Sequence, residues 1–303
     1  MRHLTVLALA CLVFLQVAPV QATFLPQELI RYDLLDKNEK QSDLTEAEFK
    51  SMLNRVQSKY KDVVSKHGGR LSISGSWTDT TLNAGARQMF GTWQVQITGG
   101  LARRQELTRD GFLLIVCHEL GHHLGGFSLA PSPVPFMSVW AANEGQSDYF
   151  ATQVCARTLW EAEHEINARY AETVNAYAKE KCNAVWATDQ DRNLCYRVSV
   201  GVESVMNTMT ALMKVPNTQF DTPDTTAVTE TKHSHPTAQC RMDTQLQGAI
   251  CKASWNNNII PGKKVSSGPE SIEAERQAAG VSCTKTGGYE YGLRPACWFK
   301  ARL

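Results

Sequence analysis

Phe112-Leu113-Leu114-Ile115-Val116-Cys117-His118-Glu119-Leu120-Gly121-His122 is the stretch on which the reading of this chain turns. An unbroken apolar run leads into an H-E-x-x-H pattern. The spacing predicts a buried helix from about Arg109 to Leu124, stopped by Gly125-Gly126. Residues four apart share a helix face, so His118 and His122 can present two imidazoles to one metal ion. Downstream, Asn143-Glu144-Gly145-Gln146-Ser147-Asp148 offers Glu144 as a third ligand. Asp148 falls four residues later on the same face, where it can accept the remaining ring N–H of a ligand histidine. Three protein ligands and one open position are what a catalytic Zn²⁺ takes, one ion per chain. Glu119 lies beside the metal, not on it, and is expected to be the general base.

The chain opens like an exported protein. Arg2 is a short positive region, and Leu4 to Val17 is apolar but too short for a comfortable membrane span. Val20-Gln21-Ala22 supplies small residues for signal-peptide cleavage after Ala22, so residues 1–22 are expected to be removed. No later segment is long and apolar enough to span a bilayer, which predicts a periplasmic or secreted product with no integral membrane segment. Arg2 is the only charged residue before Thr23, so its removal takes the net charge from +1 to about zero. That balance excludes an electrostatic case for nucleic acid or an anionic membrane as partner.

Of nine cysteines, Cys11 is lost with the leader and eight remain. An even number in an exported chain predicts disulfides, and no C-x-x-C pair suggests a cysteine-held zinc. Cys240 and Cys251 at the two ends of one helix would sit about 16 Å apart at ~1.5 Å per residue, too far to pair. Cys117–Cys155 would brace the metal site, and Cys182–Cys195 would close a short loop around Thr188-Asp189-Gln190-Asp191.

From Leu44 to Val64 the pattern is helical, opened by a capping sequence at Thr45-Glu46-Ala47-Glu48 and carrying Phe49, Met52, Leu53, Val56 and Tyr60 on one stripe. Residues 70–99 read as short strands: Leu71–Ser74 alternates, and Trp93–Thr98 alternates clearly. The second is expected to border a cleft and offer a free edge to an extended peptide. Phe127 to Val139, with Pro131, Pro133 and Pro135, is expected to be an irregular loop that shapes one cleft wall. Residues 143–180 and Val200–Met213 read as helical. Lys214–Ser234 is polar and Thr-rich, a candidate flap. The fold class expected is α+β, mostly helical, with a small sheet beside the metal-bearing helix. Residues 23–253 form its main domain, and residues 254–303 a disulfide-tied C-terminal cap.

Asn83-Ala84-Gly85-Ala86, the strand running into Gly99-Gly100-Leu101, Leu107-Thr108-Arg109-Asp110 and Cys117-His118-Glu119-Leu120-Gly121-His122 occur in that order. Together they resemble the gluzincin metallopeptidases related to CAAX prenyl endopeptidases and heat-shock membrane proteases. The resemblance spans about residues 80–245, and the C-terminal region looks more like a small exported bacterial subfamily. It implies a zincin-like fold, with Glu144 and Asp148 matching the family's E-x-x-x-D segment. His235-Pro236-Thr237-Ala238-Gln239-Cys240-Arg241 resembles its His-Pro motif. That match implies that His235 returns to the cleft to stabilise an oxyanion and that Arg241 holds carboxylates or backbone in place. The membrane helices of the larger relatives are absent, so their membrane-embedded substrates do not carry over.

Other histidines carry blander readings. His123 points about 100° away from its neighbour and reads as a surface or packing residue, not a ligand, and His164 belongs to a solvated charged face. His233 is a weaker candidate for the role of His235, Asn143 is a candidate for orienting substrate backbone, and Tyr149 for donating to a tetrahedral intermediate or for a core position. The expected function is an exported zinc endopeptidase acting on protein or peptide substrates. Two alternatives stay open: a zinc-stabilised peptide-binding or chaperone-like module without turnover, and a cell-wall peptide hydrolase.

Overall fold

The computed structural model describes residues 21–26, 41–132 and 139–303. The apolar leader from Leu4 to Val17 and part of the proline-containing loop lie outside them.

One short strand, β1 (Gln21–Thr23), precedes helix α1 (Glu46–Lys66). Thr45 caps α1 as its sequence predicts: its hydroxyl accepts the Glu48 amide, and the Glu48 carboxylate returns to the Thr45 amide. The stripe Phe49, Leu53, Val56, Tyr60 and Val64 is buried against the core. Strands β2 (Arg70–Ser76), β3 (Ala84–Met89) and β4 (Thr92–Thr98) complete a sheet ordered β1-β3-β4-β2. The β2–β4 pair is parallel and the other two pairs are antiparallel. Phe90 and Gly91, both at positive φ, make the tight β3–β4 turn. The short helix α2 (Gly99–Ala102) then leads to α3 (Arg109–Leu124).

The expectation that β4 offers a free edge is overturned. β4 is paired on both sides, the strand toward the candidate site is β3, and β3 is itself covered by β1. Strand β3 falls within residues 70–99, which read as short strands, although Ala84-Gly85-Ala86-Arg87-Gln88-Met89 contains no β-branched or aromatic residue to mark its bounds. Strand β1 also runs across the expected cleavage point after Ala22, so sheet pairing reaches back into the last residues of the expected leader.

Helix α3 is the axis of the core, with fifteen of its sixteen residues buried, as suits a helix apolar on every side. Beyond it come α4 (Glu144–Phe150), a π-helical turn (Ala151–Ala156), α5 (Arg157–Trp160), α6 (His164–Ala168) and α7 (Ala176–Val185). The helical reading of residues 143–180 therefore holds in pieces. Helix α8 (Asp189–Met213) starts eleven residues before the expected Val200, because its first turns are polar and its apolar periodicity begins only at Leu194. α8 crosses α3 closely. A Cβ on Gly201 would lie 2.9 Å from Leu114 Cδ1, and one on Gly111 2.6 Å from Ser204 Oγ.

Residues 214–234 are not a loose flap. Val228 N–H donates to Ala296 O and Lys232 N–H to Trp298 O, and Phe220 is buried. Helix α9 (Ala238–Ala249) follows, then the C-terminal region with α10 (Ile272–Ala279). Disulfides join Cys117–Cys155, Cys182–Cys195, Cys240–Cys297 and Cys251–Cys283. Both pairings anticipated from sequence are present, and Cys240 and Cys251 each bond into residues 283–297. That region does more than cover the core. A Cβ on Gly145 would meet the Trp298 ring at 2.3 Å, and the Tyr149 hydroxyl donates to Gly292 O, so it is packed directly onto α4. Among the described residues no helix is long and apolar enough to cross a membrane.

Candidate metal centre

Helix α3 carries His118 and His122 one turn apart, and α4 begins at Glu144, so three side chains from two helices meet at one point. Asn143 accepts the Gln146 amide as the N-cap of α4 and thereby sets where Glu144 starts. Its Nδ2 donates to Lys232 O at 2.9 Å, so the Asn143 side chain is engaged in structure instead of facing a ligand. Gly121 lets α4 approach: a Cβ there would stand 2.9 Å from Ser147 O.

Ligand atoms of His118, His122 and Glu144 all lie within 4.8 Å of one another. Glu144 Oε2 is 3.2 Å from His118 Nε2, and Glu144 Oε1 is 3.6 Å from His122 Nε2. Both imidazoles are oriented from behind. His118 Nδ1 bonds Asp148 Oδ1 at 2.9 Å, and His122 Nδ1 bonds Ala142 O at 2.7 Å with Ser147 Oγ at 3.0 Å. Donation from each Nδ1–H leaves the Nε2 lone pair free. The two Nε2 atoms, Glu144 Oε2 and both Glu119 carboxylate oxygens are buried without a hydrogen-bond partner. Five orphaned polar atoms converging on one spot would be costly unless something binds there. Two imidazoles and a carboxylate are a donor set that suits zinc.

Arg241 closes the rear of the site. Its Nε and Nη2 grip Asp148 at 2.6 and 2.9 Å, and Nη1 donates to Phe24 O at 2.7 Å. Gln245, one turn further along α9, donates to Asp148 Oδ1 at 3.1 Å. Asp148 is thus a fully buried carboxylate satisfied by three partners. Burial works against its charge, but Arg241 and His118 outweigh that and hold it below the usual carboxylate range. Burial likewise pushes Glu119 up, to about 8, and His122 down, to about 4.

His235 comes in from the segment before α9. Its Nε2 stands 3.4 Å from Glu144 Oε2 and 2.8 Å from Thr23 O. His233 lines the same cavity of about 260 Å³, with His122, Pro131, Trp140, Glu144 and His235. The described part of the proline-containing loop therefore does form a wall of this cavity. His123 is buried and stacked between Trp93 and Trp140, with centroids 5.5 and 5.0 Å away. His164 is exposed, and Tyr149 belongs to the core.

The structure therefore brings together His118, Glu119, His122, Glu144, Asp148, His235 and Arg241. Sequence reasoning missed Gln245, Ser147, the Ala142 carbonyl and Phe24. Gln245 was within reach, because it lies four residues from Arg241 and so shares its helix face. The Ala142 carbonyl carries no side-chain signal at all. No family model, no curated protein and no solved structure matches this chain.

Proposed function

We propose that this chain is a zinc-dependent endopeptidase with a zincin-like fold, similar to the gluzincin metallopeptidases, working in the periplasm or outside the cell. The observation that carries the reading is the set of orphaned buried atoms. A structural zinc would need His118, His122 and Glu144 but would have no use for Glu119, buried beside them with both oxygens unpaired. His118, His122 and Glu144 would hold the metal, which supplies a water of lowered pKa and polarises a carbonyl.

The chain's own residues would then do the following. Glu119 takes a proton from the attacking water and hands it to the leaving amine. His235 Nε2 hydrogen-bonds the carbonyl oxygen as its charge develops. Asp148, gripped by Arg241 and Gln245, fixes the ring of His118 and its tautomer. Four disulfides join eight cysteines, which fits an oxidising compartment.

The test compares the purified chain with Glu119→Gln for metal content and casein hydrolysis. One zinc per chain in both, with turnover about 10²–10⁴-fold lower in the variant, is the expected outcome. Near-normal hydrolysis by Glu119→Gln would remove the assigned base. Bound zinc with no hydrolysis of casein or of any other peptide bond by the wild type would remove the enzyme reading itself.

A further inference from the structure

Residues 21–24 lie across the candidate metal centre as an extended peptide. Strand β1 pairs antiparallel with β3, Gln21 to Arg87, Ala22 to Ala86 and Thr23 to Gly85, and the Phe24 N–H donates to Ala84 O at 3.2 Å. The Thr23–Phe24 peptide group sits at the point where the proposed catalytic groups converge. Thr23 O accepts from His235 Nε2 at 2.8 Å, and the same nitrogen is 3.4 Å from Glu144 Oε2. On the far side of the bond, Phe24 O accepts from Arg241 Nη1 at 2.7 Å. The Phe24 ring packs edge-on against His118, with centroids 5.3 Å apart. Its burial is nearly complete.

Both sides of this bond meet groups that hydrolysis would use. The carbonyl oxygen meets the donor assigned to the oxyanion. The residue after the bond has its carbonyl clamped and its side chain seated. A peptide held in this way has already lost the translational and rotational freedom that opposes reaction.

We propose that the Thr23–Phe24 bond is an intramolecular substrate of this site, cut by the chain itself while residues before Thr23 are still attached. The proposal rests on the metallopeptidase reading above. The step is a hydrolysis: the C–N bond between Thr23 and Phe24 breaks, and the water's hydroxyl ends on the Thr23 carbonyl carbon. Its proton passes through Glu119 to the Phe24 nitrogen. No oxidant or second reactant is needed. Release of the residues ending at Thr23 uncovers the edge of β3 and the side of the 260 Å³ cavity that Ala22 and Thr23 line. The class of external substrate this fits is an extended peptide that pairs with the β3 edge in place of the released residues.

The experiment uses the full chain from Met1, prepared without export and oxidised, as wild type and as Glu119→Gln. Both are incubated with and without zinc and followed by intact mass and amino-terminal sequencing. The expected result is a wild-type product beginning at Phe24, formed at a rate independent of protein concentration and absent without zinc. Glu119→Gln should keep the bond. Cleavage after Ala22 by a signal peptidase differs by one residue and is distinguished by mass. A readout independent of turnover comes from hydrogen exchange on metal-free Glu119→Gln, where the Phe24 amide should be protected and His235→Ala should weaken that protection. A wild-type enzyme that hydrolyses casein while its Thr23–Phe24 bond stays intact would overturn this inference and leave the peptidase reading standing. Phe24 amino termini arising equally in Glu119→Gln would also overturn it. Zinc-loaded wild type that cuts neither casein nor this bond would take down both.

Discussion

The two ends of helix α3 both bury charge and treat it in opposite ways. At the first turn, Asp110 receives Arg197 through two hydrogen bonds of 2.9 Å and the Tyr170 hydroxyl as well. Arg197 continues to Glu163 at 2.6 Å and Asn167 at 3.0 Å. None of these five side chains has a buried atom left unpaired. A cavity of about 570 Å³ opens beside them, larger than the one at the metal centre, yet its buried charges are already satisfied. At the last turns, His118, Glu119 and His122 point unpaired atoms at a common spot. Volume is thus a poor guide to chemistry in this molecule. Satisfied charge anchors the helix, and unsatisfied charge marks where something else must bind.

The largest effect expected is from His122→Ala, which should abolish stoichiometric zinc binding and all measurable hydrolysis, read by metal analysis on folded protein. Retained zinc would place the metal elsewhere and erase the contrast between the two ends. Next, Asp110→Ala leaves Arg197 buried with only Glu163 and Asn167, and should cost about 3–5 kcal/mol in denaturant unfolding. Zinc stoichiometry in the folded fraction should stay unchanged. A loss of zinc in that fraction would mean that the two ends are one coupled system. Asp148→Asn keeps the shape but removes the charge behind His118, and about 10–100-fold weaker zinc affinity is expected by competition titration.

The smallest effect concerns a third buried charge. Lys263 Nζ is buried without a hydrogen-bond partner, 3.7 Å above the Trp93 ring. Burial lowers its pKa to about 8. The unfolded chain keeps its proton up to a higher pH than the folded one, so stability should rise as pH increases from about 8 toward 10.5. Lys263→Met should flatten that rise and stabilise the protein at pH 7 by roughly 1–2 kcal/mol. An unchanged profile would show that an unpaired buried charge can be tolerated here without penalty.

What could be read from the chain follows the same division. The satisfied core was legible wherever periodicity is strong, as in Phe49, Leu53, Val56 and Tyr60 of α1 and the apolar run of α3. The candidate ligand triad was legible because its residues are rare and the spacing of its histidines matches helix geometry. The rest depends on backbone. Strand β3 is built of small and polar residues, so only its neighbours make it a strand. The orienting partner of His122 is the Ala142 carbonyl, which any residue type would supply. Asp110 was quoted for its place in a pattern, and nothing nearby in sequence announces Arg197, 87 residues away. Phe24 sits at the metal centre because of chain entry into the sheet, a property of topology and not of any local motif.

The fastening of helix α9 has one consequence for biogenesis. Cys240 near its start is bonded to Cys297, and Cys251 just past its end to Cys283. Arg241 and Gln245, which hold Asp148 behind His118, ride on the stretch between these two bonds. Both partners, Cys283 and Cys297, follow the helix in the chain. The two bonds behind the carboxylate therefore form only after these later residues have been made and the chain has met an oxidant. In a reducing cytosol the chain would carry its H-E-x-x-H motif without the two bonds that fasten the helix behind it.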